Sequence, residues 1–262
     1  MLNRDGPPHR GDWMTMRGEG GLLRRSRRAL IETYKYHFRD APDHLVFVHV
    51  GKCGGASLGA AIHQSPVRRA RFISVSHVHI QKPPVKTRSS YLVAVRNPVG
   101  RALSAFNWRR RILIEDGAQH GRFRGEHAAL SRYDTLSDLA EALYPDGPDA
   151  APDPDAAAAF HAIHHLREDI AFYLADLLPQ ISPEQIFGVI TTECLDADVN
   201  RVLGLTAAPR RHVNSARGGD AMTLSDVARA NLRRFLEADY AAIRALDAMH
   251  PLTPEARAAL LR

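Results

Sequence analysis

The chain of 262 residues holds two cysteines, Cys53 and Cys194, too few for a disulfide scaffold or a cysteine-only zinc site. No apolar run approaches the ~18 residues of a membrane span. The opening MLNRDGPPHRGDWMTMRGEGGLL lacks the apolar stretch of a signal peptide. These absences lead to the expectation of a cytoplasmic protein, and the Ala and Arg richness to a bacterial one. The most informative absence is negative charge: residues 44–114 carry 12 lysines and arginines and not one aspartate or glutamate. Such a block inside the folded core, rather than in a tail, points to a concave site for an anionic ligand. Aromatics beside it are few, chiefly Phe72, Tyr91, Phe106 and Trp108, which counts against a nucleic-acid binder that stacks bases between cations. The clusters Arg68, Arg69, Arg71 and Arg109, Arg110, Arg111 read equally well as solvated basic faces.

With 45% hydrophobic and 24% charged residues, the chain has material for a large core and is expected to form one domain with appendages. Residues 1–43 read as a basic extension with an amphipathic helix, and 44–262 as a single α/β domain. Strands are expected at 45–50 (LVFVHV), 71–75 (RFISV), 90–95 (SYLVAV) and 185–193 (QIFGVITTE), where short apolar runs suit a buried parallel sheet. Helical pattern lies between and after them: polar helical material over 117–144, one long helix over 155–178, and helices across the C-terminal third. The run PDGPDAAPDPD, 145–155, reads as a surface loop or hinge. Alternating strands and helices imply a three-layer α/β fold, its mainly parallel sheet flanked by helices, with a helical C-terminal part.

Two segments at strand ends have the chemistry of anion sites. GKCGGAS follows the first strand and opens a helix, so Gly51, Gly54 and Gly55 let backbone N–H groups approach an anion closely at the positive helix end, with the Ser57 hydroxyl and the Lys52 ammonium beside them. It is not a Walker A loop, because Lys52 precedes the glycines. After the third strand, RNPVGRALS places Arg96 at the strand end, Asn97 as an N-cap, Pro98 at the first helical position and Ser104 two turns on, with Arg101 on its face. A guanidinium forks onto phosphate well, and two separated phosphate sites point to a bisphosphorylated nucleotide.

VFVHVGKCGGASL followed by YLVAVRNPVGRALSAF resembles the 5′-phosphosulfate loop and 3′-phosphate motif of sulfotransferases that use 3′-phosphoadenosine 5′-phosphosulfate (PAPS), most closely the carbohydrate-type sulfotransferase family 2. FGVITTECLDADVNRVLGL and HVNSARGG are similar to later segments of that family. The resemblance implies a P-loop-like fold, PAPS as sulfuryl donor, and a hydroxyl acceptor on a carbohydrate or glycoconjugate; no metal is expected, because a sulfuryl group carries less negative charge than a γ-phosphoryl. It assigns cofactor binding to Lys52, Cys53, Gly54, Gly55, Ala56, Ser57, Arg96 and Ser104. Ala56 departs from the family, which commonly has a hydroxyl residue there. Lys52 suits charge stabilisation at the leaving oxygen. SHVHI offers His77 as general base by resemblance, with His79 as runner-up and Glu115 or Asp116 as fallbacks. The competing readings are a non-catalytic polyanion or nucleotide binder and a kinase-like P-loop enzyme.

Other features carry less. HAIHH sets His161, His164 and His165 on one helical face, without HExxH or a partner carboxylate, and reads against a metal site. Cys53 at a helix start beside Lys52 is open to a lowered pKa, but a tight-loop role fits it better. Glu193 either reaches the crevice or caps the next helix, and Arg217 with Gly218 forms a late basic loop suited to closing over a nucleotide.

Overall fold

The computed structural model describes residues 21–147, 149–209 and 223–262. Four strands, β1 (His44–His49), β2 (Ser74–Val78), β3 (Ser90–Val95) and β4 (Ile186–Thr191), pair in parallel in the order β2-β1-β3-β4. All six residues of β3 and five of the six of β1 are buried, as in a parallel sheet covered on its faces. Helix α1 (Gly21–His37) lies in the unit Met1–Arg39, separate from the unit Asp40–Arg262 that holds the sheet.

Within the larger unit, α2 (Gly55–Gln64) and α3 (Pro66–Arg71) connect β1 to β2. Helix α4 (Pro98–Arg110) leaves β3 and continues into a π-turn, Arg111–Glu115. Then come α5 (Glu126–Arg132), α6 (Leu136–Ala142), α7 (Pro154–Ala162) and α8 (Ile170–Leu174) before β4, and α9 (Leu195–Leu203), α10 (Asp226–Phe235), α11 (Glu237–Met249) and α12 (Pro254–Leu261) after it. The architecture is thus α/β with helices flanking a parallel sheet, as the alternating pattern requires. From β1 the chain passes to β2 on one side, and from β3 to β4 on the other. The crest between β1 and β3 is therefore the topological switch point, where open α/β sheets bind ligands.

Three expectations change. The strand read at 71–75 starts at Ser74 and runs through Val78, because Ser65 accepts the Arg68 N–H and Pro66 occupies the first turn of α3, which keeps 66–71 helical. The helix read over 155–178 is broken: α7 stops at Ala162, His165 takes a left-handed φ of 68°, and Asp169 caps α8 by accepting the Phe172 N–H at 2.7 Å. The stretch read as polar helical material supplies Leu130, Leu136 and Leu139 to a hydrophobic core shared with Phe106, Phe160 and Leu232. Among the described residues no helix is long and apolar enough to cross a membrane.

Candidate functional site

The loop after β1 holds the first candidate anion site. The Cys53 amide donates to Val50 O at 3.2 Å to tighten the turn, Lys52 has φ 71° and Gly54 φ 74°. Positive φ at a non-glycine residue is uncommon and costs backbone energy; here it turns Lys52 out of the strand direction. Gly54 is the N-cap of α2 and offers no side chain, so the first-turn amides of α2 have no side-chain cap. They form an open set of donors at the positive helix end. Gly51 and Gly55 are glycines for packing: a Cβ at Gly51 would stand 2.6 Å from His165 Nδ1, and one at Gly55 would overlap the His49 ring.

Lys52 Nζ sits 4.5 Å from the centroid of Trp108. Burial, then Arg111 and Arg96, bring its pKa down to about 8, because a cation here has lost water and gained like-charged neighbours. Cys53 is fully enclosed, and burial pushes its thiol up to about 12. The loop-fitting role holds for Cys53 and the lowered pKa does not. Ser57 is buried in α2, and Ala56 is partly exposed in its first turn.

At the end of β3 the Asn97 side-chain Oδ1 accepts the Gly100 N–H at 3.0 Å, and Pro98 begins α4, as expected. The Arg96 side chain folds over Gly100, its Nε 3.5 Å from where a Cβ would be. Gly100 and Ser104 are four residues apart on α4, so Arg96 and Ser104 mark the same face. Arg101 does not belong with them. It is fully buried, with Nη1 donating to the carbonyls of His165 at 2.6 Å and Glu168 at 3.4 Å, and Nε 4.0 Å from Asp239. Arg96 instead lines a cavity of about 700 Å³ with Gly100, Leu103, Glu193, Arg229 and Arg233. Glu193 reaches this crevice and accepts the Asn97 N–H at 2.9 Å; the cap of α9 is Cys194.

The remaining cations divide. Arg109 is buried in a two-pronged pair with Glu126, at 2.7 and 2.6 Å, and is a structural residue. Arg110 pairs with Asp134 on the surface, and Arg69 donates to Gln64 O and Ser65 O on α3.

The two histidines of SHVHI are separated by the later start of β2. His77 lies inside the strand, paired with Phe47, its ring edge-on to Phe47 and stacked on His63 of α2. His79 lies past the strand, one pleat nearer the crest. Its Nδ1–H donates to His49 O at 3.2 Å, and its ring stacks on His49 at 4.4 Å and tilts over His165 at 5.5 Å. This bond fixes the tautomer that leaves the Nε2 lone pair available. Burial lowers the His79 pKa, and burial together with His79, His77 and Lys52 brings His49 down to about 3, so both rings are neutral at pH 7. Glu115 and Asp116 are exposed at the end of the π-turn. Arg217 and Gly218 fall outside the described residues.

HAIHH is also rearranged: only His161 is on α7, whereas His164 and His165 lie in the buried turn beyond it, with Glu168 as a carboxylate neighbour. Sequence reasoning missed Trp108 under Lys52, His165 against Gly51, and Arg229 and Arg233 in the cavity wall. The last two are four residues apart on α10, a spacing that marks one helical face, though not which face. Comparison of the chain with protein-family models, with curated proteins and with solved structures gives no match.

Proposed function

We propose that the protein is a sulfotransferase that moves the sulfuryl group of PAPS to a hydroxyl acceptor, with a carbohydrate or glycoconjugate as the acceptor class. The observation that carries this reading is the placement of two cationic loops, 50–54 and 96–97, at the carboxyl ends of the adjacent strands β1 and β3, on either side of the switch point. The residues present fit a nucleotide with phosphates at two positions. The uncapped amides of α2, with Lys52 and Ser57, suit the 5′ side. Arg96 over Gly100, with Ser104 on the same face, suits the 3′-phosphate, and the neighbouring cavity adds Arg229 and Arg233.

PAPS, when bound, supplies an activated sulfuryl group. Lys52 holds positive charge where the leaving oxygen becomes anionic, and its contact with Trp108 limits the positions its ammonium samples. His79 is better placed than His77 to take the acceptor proton at Nε2, because it stands past the strand end and its Nδ1 is anchored. Ala56 removes one hydroxyl from the cradle but leaves its amide, so backbone donors carry the binding there.

Calorimetric titration with 3′-phosphoadenosine 5′-phosphate, against adenosine 5′-monophosphate, tests the reading. Binding that needs the 3′-phosphate and loses that preference in Arg96→Ala is expected; equal affinity for both nucleotides overturns it. Transfer of labelled sulfate from PAPS across a panel of glycans then separates the two bases, with turnover lost in His79→Ala and retained in His77→Ala.

A further inference from the structure

The turn between α7 and α8 gathers His164, His165 and Glu168 so that one ligand atom of each lies within 4.8 Å of the others. All three residues are more than nine-tenths buried. His164 Nδ1 is 2.9 Å from Glu168 Oε2, and His165 Nδ1 is buried with no hydrogen-bond partner. A buried imidazole nitrogen left without a hydrogen bond, next to a second imidazole and a carboxylate, costs free energy unless something else occupies its lone pair. The backbone is bent to produce this arrangement. His165 sits at φ 68°, and its ring lies beside that of His164, with centroids 4.1 Å apart.

We propose that His164, His165 and Glu168 form a binding site for a divalent transition-metal ion of the zinc class. Two imidazoles and one carboxylate select zinc, cobalt or nickel over magnesium or calcium, which prefer all-oxygen shells. Three protein ligands leave at least one coordination position for water or another ligand. An outer shell is already in place: Arg167 donates to Glu168 Oε1 at 2.7 and 3.0 Å, the His165 N–H donates to Oε2 at 2.8 Å, and Arg101 holds the His165 carbonyl. Such bonds orient a ligating carboxylate and the turn that carries it. Because His165 packs on Gly51, an ion here braces the loop that carries Lys52. The site goes beyond the sulfuryl-transfer reading and does not depend on it.

The test is metal binding by the tag-free full-length protein after chelator treatment. Titration with Zn²⁺ by calorimetry, and with Co²⁺ by visible absorption, is expected to show one ion per chain and the d–d bands of a four- or five-coordinate site. His164→Ala and Glu168→Gln should each weaken binding at least tenfold, while His127→Ala, in the exposed His120 and His127 pair, leaves it unchanged. X-ray absorption of the zinc-loaded wild type should show two imidazoles in the first shell, a result that stands even where a variant fails to fold. Absence of stoichiometric binding, a shell without imidazole, or loss of binding in His127→Ala overturns the site, whatever the nucleotide experiments show.

Discussion

Lys52 shows how one side chain combines backbone strain, desolvation and charge. With burial and nearby Arg111 and Arg96 holding its pKa at about 8, it is a cation at pH 7 and loses that charge as pH rises through 8. Affinity for 3′-phosphoadenosine 5′-phosphate should therefore fall between pH 7 and 9.5, by up to roughly 10–100-fold if one charge-assisted contact is lost. A bound anion favours the protonated form and shifts the fall upward. Lys52→Arg should flatten this dependence if the longer side chain still reaches, and calorimetry across that pH range reads it. Gly55 is equally specific: its hydrogen faces the His49 ring, so Gly55→Ala should destabilise the protein by about 1–3 kcal/mol or more through overpacking. In urea melts, His49→Ala combined with Gly55→Ala should cost less than the sum of the single changes, because removing the ring removes the clash.

Elements were legible where punctuation and periodicity agreed. Asn97 and Pro98 announce α4, and the side-chain cap and first-turn proline are both found. Ser65 and Pro66 carry the same signal for α3, but the apolar run RFISV overrode it. The cost was three residues of register, enough to put His77 inside β2 rather than at its end. Asp169 likewise marks the start of α8 inside what reads as one helical pattern. The break matters because it creates the His164 to Glu168 turn. That turn is tied to α5 by Glu126, which accepts the His164 N–H at 2.8 Å as well as the two bonds from Arg109. Glu126→Gln should therefore cost about 3–5 kcal/mol, measured by denaturant unfolding, since it leaves the Arg109 charge buried and unpaired.

For the whole molecule, residues distant in sequence set the sheet. Asp40, at the start of the larger unit, accepts hydrogen bonds at 2.8–3.0 Å from Thr87, Arg88 and Ser89, just before β3. Burial pushes the Asp40 carboxyl up, but these bonds outweigh it and hold it below the ordinary carboxylate range. A lowered folded-state pKa contributes stability above the unfolded value near 4 and loses it as pH falls. Asp40→Asn should thus cost about 1–3 kcal/mol at neutral pH, and the gap from wild type should close in urea melts taken progressively below pH 4. At the other end, Asn97 donates to the carbonyls of Leu260 at 3.0 Å and Arg262 at 3.2 Å, fastening α12 beside the candidate 3′-phosphate site. The sequence by itself determined the parallel sheet, its covering helices and the two cationic loops at strand ends, because apolar run length, glycine placement and N-capping act over a few residues. Only the tertiary structure decided that Arg101 and Arg109 are buried structural cations, that His79 stands nearer the crest than His77, and that His165 meets Gly51. Those outcomes depend on which helical face meets which partner across 17 residues of chain, as from Arg109 to Glu126, or more than 60, as from Arg101 to His165, and no local pattern encodes that choice.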